Sequence, residues 1–355
     1  MPTEPVARFS IGLTRFLAPD GIASPPLPDW AADIDLLKTL YRAMVRVRAF
    51  DAKAVALQRT GRLGTYASSL GQEAVGTGAA SAMRADDVLL PSFRDQAAQL
   101  VRGVTPLELL LYWGGDERGS DFAGPRQDFP ISVPVASHIP HAAGVALAFK
   151  LRRQPRAALC IFGDGATSKG DFYEALNMAG VWQLPLVLLV NNNQWAISVP
   201  RTTQSRAETL AQKAIAAGIT GEQVDGNDIL AVRHRVALAL DKARAGGGPT
   251  LIEALTYRLG DHTTSDDARR YRDDATVSPH WPDEPIARLR LFLTARDAWS
   301  RADEEAAHAE AAAVVDAAVE AYLATPPRQA ASMFDHLFAT LPPCLAAQRA
   351  ELGDA

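Results

Sequence analysis

An α/β fold with a mostly parallel sheet flanked by helices is predicted by two apolar runs and the helical pattern between them. Residues 157–162 and 186–190 are short apolar runs, typical of strands that are buried on both faces. From Phe172 to Ala179 the apolar residues recur at helical spacing. A strand, a helix and a second strand within this length form a βαβ unit, whose two strands run parallel.

An arm and a long helix precede this unit. Six prolines interrupt residues 1–30 and favour an irregular, extended arm that lies on another surface. Apolar residues at helical spacing predict an amphipathic helix over 33–58. The glycines of residues 61–78 indicate tight turns and close backbone approach.

A further strand and a helical region follow the unit. The strand is predicted over 250–255, and Ser300 with Asp303 forms a Ser-x-x-Asp cap for an Ala-rich helix that ends before Pro326. We therefore expect an N-terminal arm (1–30), one compact domain (31–300) and a helical C-terminal extension packed on the same domain (301–355).

The composition excludes several classes of protein. A hydrophobic content of 48% with 22% charged residues is typical of a globular protein, and a net charge of −5 argues against nucleic-acid binding. Two cysteines leave no disulfide framework and no thiolate zinc site. We find no secretory signal and no apolar run near the ~20 residues that span a bilayer. We expect a soluble, cytoplasmic protein.

The loop after the first strand of the unit has the chemistry of a metal–diphosphate site. In Gly163-Asp164-Gly165, the glycines allow a ligand close to the backbone, and the next helix offers N–H groups to an anion. A dinucleotide fingerprint does not fit, because Ser168 stands where its third glycine belongs. The Asp164 carboxylate would repel a diphosphate unless a cation lay between them, and Mg²⁺ takes such oxygen ligands.

The second strand ends in the amide cluster 191–193. Because parallel strands end at the same edge of a sheet, this cluster should lie beside Asp164. Each piece alone is more often a plain turn or a polar strand end. Their pairing at matching strand ends favours an Mg²⁺–diphosphate site.

Four segments resemble a known family. Gly163-Asp164-Gly165 followed by Asn192-Asn193 is similar to the thiamine-diphosphate motif. Segments 61–74, 162–180, 192–198 and 257–272 resemble the alpha subunit of the heterotetrameric 2-oxo acid dehydrogenases, and the resemblance covers roughly residues 30 to 340. It implies the thiamine-diphosphate-binding fold, with thiamine diphosphate and Mg²⁺ as cofactors.

The resemblance also implies how this chain holds the metal and the diphosphate. Asp164 and Asn193 match the side-chain ligands of Mg²⁺, and Trp195 would add its backbone carbonyl oxygen. The backbone N–H groups of Gly165 and Ala166 would bind the diphosphate.

Five further residues follow from the resemblance. Arg94 matches the arginine that grips the diphosphate, and Phe93 replaces a usual tyrosine and so lacks its hydroxyl contact to the cofactor. Val133 and Val135 match the segment that touches the aminopyrimidine. His262 matches the active-site histidine of a mobile loop, a proton donor or acceptor in the reductive acylation step.

The implied partners complete the active site. In the family, the glutamate that activates the cofactor comes from a beta subunit, and this chain shows no candidate for it. We expect two alpha and two beta subunits acting on a small 2-oxo acid, with the acyl group passed to the lipoyl domain of a dihydrolipoamide acyltransferase. Segment 61–74 favours a bacterial pyruvate enzyme, on the route from glycolysis to acetyl-CoA. A branched-chain 2-oxo acid dehydrogenase acting on 3-methyl-2-oxobutanoate, an acetoin dehydrogenase and an inactive scaffold subunit are the alternatives.

Other polar and sulfur-bearing residues have plainer interpretations. His138 and His141 have a spacing that metal ligands use, but they more often begin a helix. Cys160 is expected to be an inert buried thiol. The arginines of 269–272 predict a salt-bridged surface or a docking site for the lipoyl domain.

Overall fold

The computed structural model describes residues 3–352, which form eight strands and thirteen α-helices. The strands are β1 Leu13–Thr14, β2 Val88–Leu90, β3 Ala158–Gly163, β4 Leu186–Asn192, β5 Trp195–Ala196, β6 Val199–Pro200, β7 Thr220–Asp225 and β8 Thr250–Leu255. The helices are α1 Ile34–Arg59, α2 Glu73–Ser81, α3 Gln96–Arg102, α4 Pro106–Trp113, α5 His138–Leu151, α6 Gly170–Val181, α7 Arg201–Gln204, α8 Lys213–Ala216, α9 Ile229–Arg244, α10 Asp274–Val277, α11 Pro285–Thr294, α12 Arg301–Ala324 and α13 Pro343–Glu351. None of these helices is long and apolar enough to cross a membrane.

Six strands form one sheet in the order β1-β7-β8-β4-β3-β2, and every neighbouring pair in it is parallel. This confirms the predicted α/β fold with a parallel sheet flanked by helices. The register places Gly163 at the end of β3 opposite Asn191 in β4. The polar residues that follow these two strands therefore leave the sheet at one edge, as the βαβ prediction requires.

Helices cover both faces of the sheet. On one face, Cys160 and Phe162 of β3 pack with Phe172 of α6 and with residues of α5. On the other face, Leu159 and Ile161 pack with residues of α2 and α9. Burial on both faces explains why β3 is apolar without alternation. Cys160 is fully buried, as expected, and burial raises the pKa of its thiol well above the ordinary value.

The N-terminal arm is not wholly irregular, because Leu13–Thr14 adds the parallel edge strand β1 beside β7. Leu17 is fully buried in the same chain, where Asp228 Oδ2 accepts a hydrogen bond from its N–H at 2.8 Å. This half of the arm thus lies on its own domain rather than on another surface. Residues 1 and 2 of the predicted arm lie outside the described residues.

The two long helices begin and end where the sequence predicts. Asp33 caps α1 by accepting a hydrogen bond from Leu36 N at 3.0 Å. Ser300 and Asp303 form the predicted capping box of α12, which stops at Ala324. Buried alanine and valine side chains of α12 pack against α1 and α4. The boundaries 31–300 and 301–355 stay predictions, and residues 353–355 lie outside the described part.

Close backbone approach in the glycine-rich segment is confirmed at two glycines. Gly71 has a φ of +82°, a backbone conformation that favours glycine, and a Cβ there would lie 2.7 Å from Leu259 Cδ1. A Cβ on Gly76 would lie 2.7 Å from the Ala97 Cβ of α3. Helix α2 runs through this segment and was not predicted, because its glycines serve helix packing as well as turns.

Candidate active site

A cavity of about 440 Å³ lies at the edge of the sheet where β3 and β4 end. It is lined by all ten residues that the sequence analysis assigns to the metal, the cofactor or catalysis: Phe93, Arg94, Val133, Val135, Asp164, Gly165, Ala166, Asn193, Trp195 and His262. The structure brings these residues together from five separate segments of the chain. Their individual roles stay predictions.

Asp164 is a buried carboxylate at the start of the 3₁₀ helix that follows β3. Its Oδ2 accepts a hydrogen bond from Gln204 Nε2 at 3.0 Å, and its carbonyl oxygen accepts one from Thr167 Oγ1 at 2.8 Å. Burial raises the pKa of Asp164 to about 6. A divalent cation would relieve this cost by pairing with the charged form.

The last two residues of β4 are asparagines, and their side chains are held by β8 and the residue that follows it. Asn191 Oδ1 accepts a hydrogen bond from Thr256 Oγ1 at 2.8 Å, just beyond β8. Asn192 Nδ2 donates to Glu253 Oε1 at 2.7 Å, within β8. These contacts give both amides a structural partner.

Asn193 comes directly after β4 and lines the cavity, and its amide has other partners. Its Nδ2 donates to Gln72 Oε1 at 3.0 Å, and its Oδ1 accepts from the backbone N–H of Trp195 at 3.3 Å. The carbonyl oxygen of Trp195 accepts a long hydrogen bond from Arg258 Nη1, at 3.4 Å. Both oxygens keep a lone pair for a cation.

Arg94 is a buried cation without a carboxylate partner. Its guanidinium donates to the carbonyl oxygens of Ser68 and His262, and no carboxylate of residues 3–352 forms a salt bridge with it. Burial and the nearby Arg258 lower the pKa of Arg94 to about 10. A buried charge is normally paired, so this side chain has the electrostatics of an anion site.

His262 is bound to the same guanidinium. Arg94 Nη2 lies 3.2 Å from His262 Nδ1, and the Phe93 ring packs edge-on to the imidazole with centroids 5.8 Å apart. Burial and the charges of Arg94 and Arg258 lower the pKa of His262 to about 4. The loop is held in place by paired hydrogen bonds between Thr264 and Tyr66.

The outer wall of the cavity is apolar. Val133 and Val135 are 53% and 47% exposed, although both are large aliphatic residues. Trp113 and Ile197 add further apolar surface to the lining. Such a wall suits a flat organic ring rather than a second charged group.

A histidine zinc site is not present in the described chain. His138 is buried, and its Nε2 donates to the carbonyl oxygen of Ile161 at 2.9 Å. Within residues 3–352 no group of three or more His, Cys, Asp or Glu side chains could hold a metal. One carboxylate and one amide, as in Asp164 and Asn193, need oxygens from a bound phosphate to complete an Mg²⁺ shell.

The prediction of one salt-bridged arginine surface over 269–272 is wrong for Arg272. This side chain is buried and donates to the carbonyl oxygens of Arg258, Leu259 and Gly260, which brace the His262 loop. Arg269 remains an exposed partner of Asp267, at 2.8 Å. A run of charged residues in a sequence indicates an exposed surface. Arg272 is buried instead, because the loop that packs on it offers backbone carbonyl oxygens as hydrogen-bond acceptors.

Three residues of the site were missed in the sequence. Gln72 and Gln204 contact the two predicted metal ligands, and the buried Arg258 adds positive charge beside the cavity. Arg258 follows β8 at the same edge of the sheet as Asp164, and this position was a usable signal. The glutamines carry no such signal, since each comes from a distant segment.

The residues present fit a cation with a diphosphate. Arg94 supplies an unpaired positive charge, and Asp164 and Asn193 supply oxygens. A Cβ on Gly165 would lie 2.7 Å from the Ala196 Cβ, so only glycine lets the turn and the β5–β6 hairpin approach so closely. In addition, the buried Gln72 Nε2 has no hydrogen-bond partner among the described residues.

Comparison with known proteins gives one family. The dehydrogenase E1 component family matches residues 41–330. The chain is 42% identical to the alpha subunit of 3-methyl-2-oxobutanoate dehydrogenase of Mycobacterium tuberculosis over 318 residues, which cover 90% of this chain and 87% of the relative. It is 40% identical to the pyruvate dehydrogenase E1 component subunit alpha of Acholeplasma laidlawii, covering 89% and 92%, and 37% identical to that of Mycoplasma genitalium, covering 88% and 87%.

Proposed function

Because this chain belongs to the dehydrogenase E1 component family, as the alpha subunit of a thiamine-diphosphate-dependent 2-oxo acid dehydrogenase, we propose that it acts on pyruvate. The family implies thiamine diphosphate as the cofactor and a beta subunit as the partner. The observation that carries the proposed site is Arg94, whose buried guanidinium has no carboxylate partner among residues 3–352 and lines a cavity that also holds potential metal-ligand oxygens.

The polar end of the cavity would hold the diphosphate and Mg²⁺. Arg94 would bind the diphosphate together with the backbone N–H groups of Gly165 and Ala166. Asp164, Asn193 and the carbonyl oxygen of Trp195 would bind Mg²⁺, which is usually shared with phosphate oxygens.

The apolar end would hold the organic part of the cofactor. Val133 and Val135 would pack against the aminopyrimidine, which explains why two valines stand half exposed in the cavity wall. Thiamine diphosphate, when bound, supplies the electron sink for decarboxylation of a 2-oxo acid. The chain itself orients this group and keeps water from its apolar side.

His262 would act from its Nε2 atom. An arginine has only donors, so the contact with Arg94 Nη2 requires Nδ1 to be an acceptor and places the proton on Nε2. The lowered pKa keeps the imidazole neutral near pH 7. A neutral imidazole with its Nε2–H free donates a hydrogen bond but does not release that proton near pH 7, so His262 would act as a hydrogen-bond donor in the acyl transfer step.

The site would be completed by the partner subunit. We infer a heterotetramer of two alpha and two beta subunits, in which the beta subunit supplies the carboxylic acid for the aminopyrimidine. The acyl group would pass to the lipoyl domain of a dihydrolipoamide acyltransferase. The exposed side chains of Arg269 and Arg270 beside the His262 loop support docking of that domain.

The resemblance of segment 61–74 to bacterial pyruvate enzymes supports pyruvate as the substrate. A branched-chain substrate is the second candidate, favoured by the 42% identity to the mycobacterial relative. The test is co-expression with the cognate beta subunit and comparison of kcat/KM for pyruvate and 3-methyl-2-oxobutanoate. We expect pyruvate to be preferred at least tenfold, about 1.4 kcal/mol in transition-state binding. A preference for 3-methyl-2-oxobutanoate would reassign the substrate, and no turnover of either would refute the proposed function.

A further inference from the structure

We propose that Gln72 is a positioning residue for Asn193, holding the Asn193 carboxamide with its Oδ1 atom towards the cation. The inference rests on the proposed function, in which Asn193 binds Mg²⁺. A carboxamide differs from a carboxylate, because only one of its two terminal atoms can bind a metal. A site that uses an asparagine ligand therefore needs a device that selects the oxygen.

Two hydrogen bonds on Asn193 make this selection. The Nδ2 atom donates to Gln72 Oε1 at 3.0 Å, and the Oδ1 atom accepts from the N–H of Trp195 at 3.3 Å. A half-turn of the carboxamide would set Oδ1 against the Gln72 oxygen and Nδ2 against the Trp195 N–H. With the Gln72 oxygen held where it stands, both contacts would then become repulsive, and one orientation of the Asn193 carboxamide is favoured.

Gln72 is itself fixed in place. Its N–H donates to the carbonyl oxygen of Ser69 at 2.8 Å, and it lies at the N-terminal end of α2 directly after the positive-φ residue Gly71. Its side chain is only 2% exposed. The acceptor that meets Asn193 therefore cannot move away into solvent.

The NH₂ group of the Gln72 side chain supports a functional role for this residue. Its Nε2 is buried and has no hydrogen-bond partner among residues 3–352. Buried polar groups are normally satisfied, and a methionine would fill this space without an unpaired donor. Gln72 also lines the cavity, so retaining the amide serves the site rather than the core.

The contact on the other predicted ligand is different in kind. Gln204 Nε2 donates to Asp164 Oδ2 at 3.0 Å. A carboxylate presents the same oxygen after a half-turn, so this bond cannot select a binding atom. The choice of metal-binding atom in the two proposed ligands, Asp164 and Asn193, thus depends on Gln72 far more than on Gln204.

The test measures Mn²⁺ binding to the assembled complex of this chain with its beta subunit, at saturating thiamine diphosphate. The electron paramagnetic resonance signal of free Mn²⁺ reports how much of the metal is bound. Mn²⁺ takes the same oxygen ligands as Mg²⁺. We expect Gln72→Met to weaken Mn²⁺ binding about 10- to 100-fold, the usual effect of losing a residue that orients a ligand. Gln72→Glu keeps an acceptor for Asn193 Nδ2 and should restore most of the affinity.

A matched control separates orientation from packing. Gln99 is also a buried glutamine whose amide atoms have no hydrogen-bond partner among residues 3–352, but it does not line the cavity. Gln99→Met should therefore bind Mn²⁺ like the unchanged complex. In an Asn193→Asp background the ligand has two equivalent oxygens, and Gln72→Met should lose most of its effect. If Gln72→Met does not assemble, Gln72→Asn withdraws the acceptor by one methylene and gives the same comparison.

The outcomes are distinct. Unchanged Mn²⁺ affinity in the folded Gln72→Met or Gln72→Asn complex would overturn the role of Gln72 and leave the proposed function standing. An equal loss of affinity in the Asn193→Asp background would also overturn it, because the effect would not depend on amide orientation. Absence of Mn²⁺ binding to the unchanged complex would overturn the proposed function and the role of Gln72 together.

Discussion

Arg94 and His262, 168 residues apart, are joined by one guanidinium nitrogen: Nη2 donates to the carbonyl oxygen of His262 at 2.7 Å and lies 3.2 Å from its Nδ1. The backbone contact holds the loop, and the imidazole contact sets the tautomer. The residue proposed to bind the diphosphate therefore also fixes the orientation and tautomer of the proposed active-site histidine. Loss of Arg94 should change both cofactor binding and the titration of His262.

We expect His262 to titrate near pH 4 in the folded protein, against an ordinary value of 6.5. Between these values the unfolded chain binds the extra proton, so this group makes stability rise with pH across the window and contributes fully above 6.5. Histidine side-chain NMR measures the titration directly. In Arg94→Met the pKa of His262 should move up, because a nearby positive charge is removed. A value near 6.5 in the unchanged protein would contradict the contact.

Metal binding should weaken as Asp164 takes up a proton. Its pKa is raised to about 6, so between 3.8 and about 6 the folded, metal-free protein binds the extra proton, and this group's contribution to stability falls as pH rises. Mg²⁺ needs the carboxylate, so its affinity should fall about tenfold per pH unit below 6.

Asp164→Ala should abolish Mg²⁺-dependent cofactor binding, measured by calorimetry. Unchanged thiamine diphosphate affinity in that variant would refute the metal assignment.

Arg102 and Arg94 should differ in how much stability their removal costs. Arg102 pairs with the buried Asp128 at 2.8 Å, so Arg102→Met should destabilise by about 3–5 kcal/mol by leaving a buried charge unpaired. Arg94→Met leaves no carboxylate behind and should cost no more than about 1.5 kcal/mol. It should nevertheless lower thiamine diphosphate affinity at least tenfold. Urea unfolding and cofactor titration of both variants give the comparison, and a large loss of stability in Arg94→Met would show that its charge is compensated within the fold.

A methyl group at Gly165 should disturb the site, whereas one at Gly170 should not. The new Cβ at Gly165 would lie 2.7 Å from the Ala196 Cβ, and such overpacking costs about 1–3 kcal/mol. The β5–β6 hairpin would have to move away from the turn, and cofactor affinity should fall. At Gly170, the first residue of α6, the described part of the chain places no atom within 4 Å of the added Cβ, apart from its neighbours and the backbone of its own helix. Equal thermal stability and cofactor affinity in the two alanine variants would rule out the close approach.

The sequence predicts the part of the site that depends on local pattern. Asp164 and Asn193 follow two apolar runs, and parallel strands bring their ends together without further information. Gln72 could not be placed in this way, because its contact with Asn193 joins residues 121 positions apart. Strand β1 was also not predicted, because two residues are too few for a strand pattern in the sequence. It nevertheless forms the edge of the sheet beside β7.

A crystal structure of the alpha–beta complex with thiamine diphosphate and Mn²⁺ tests the central claim most directly, because anomalous scattering locates the metal without assumption. We predict a Mn²⁺ peak in contact with Asp164 Oδ1 or Oδ2 and with Asn193 Oδ1, and a diphosphate against the Arg94 guanidinium. A metal peak that contacts neither side chain, or a cofactor held by the beta subunit alone, would contradict the account.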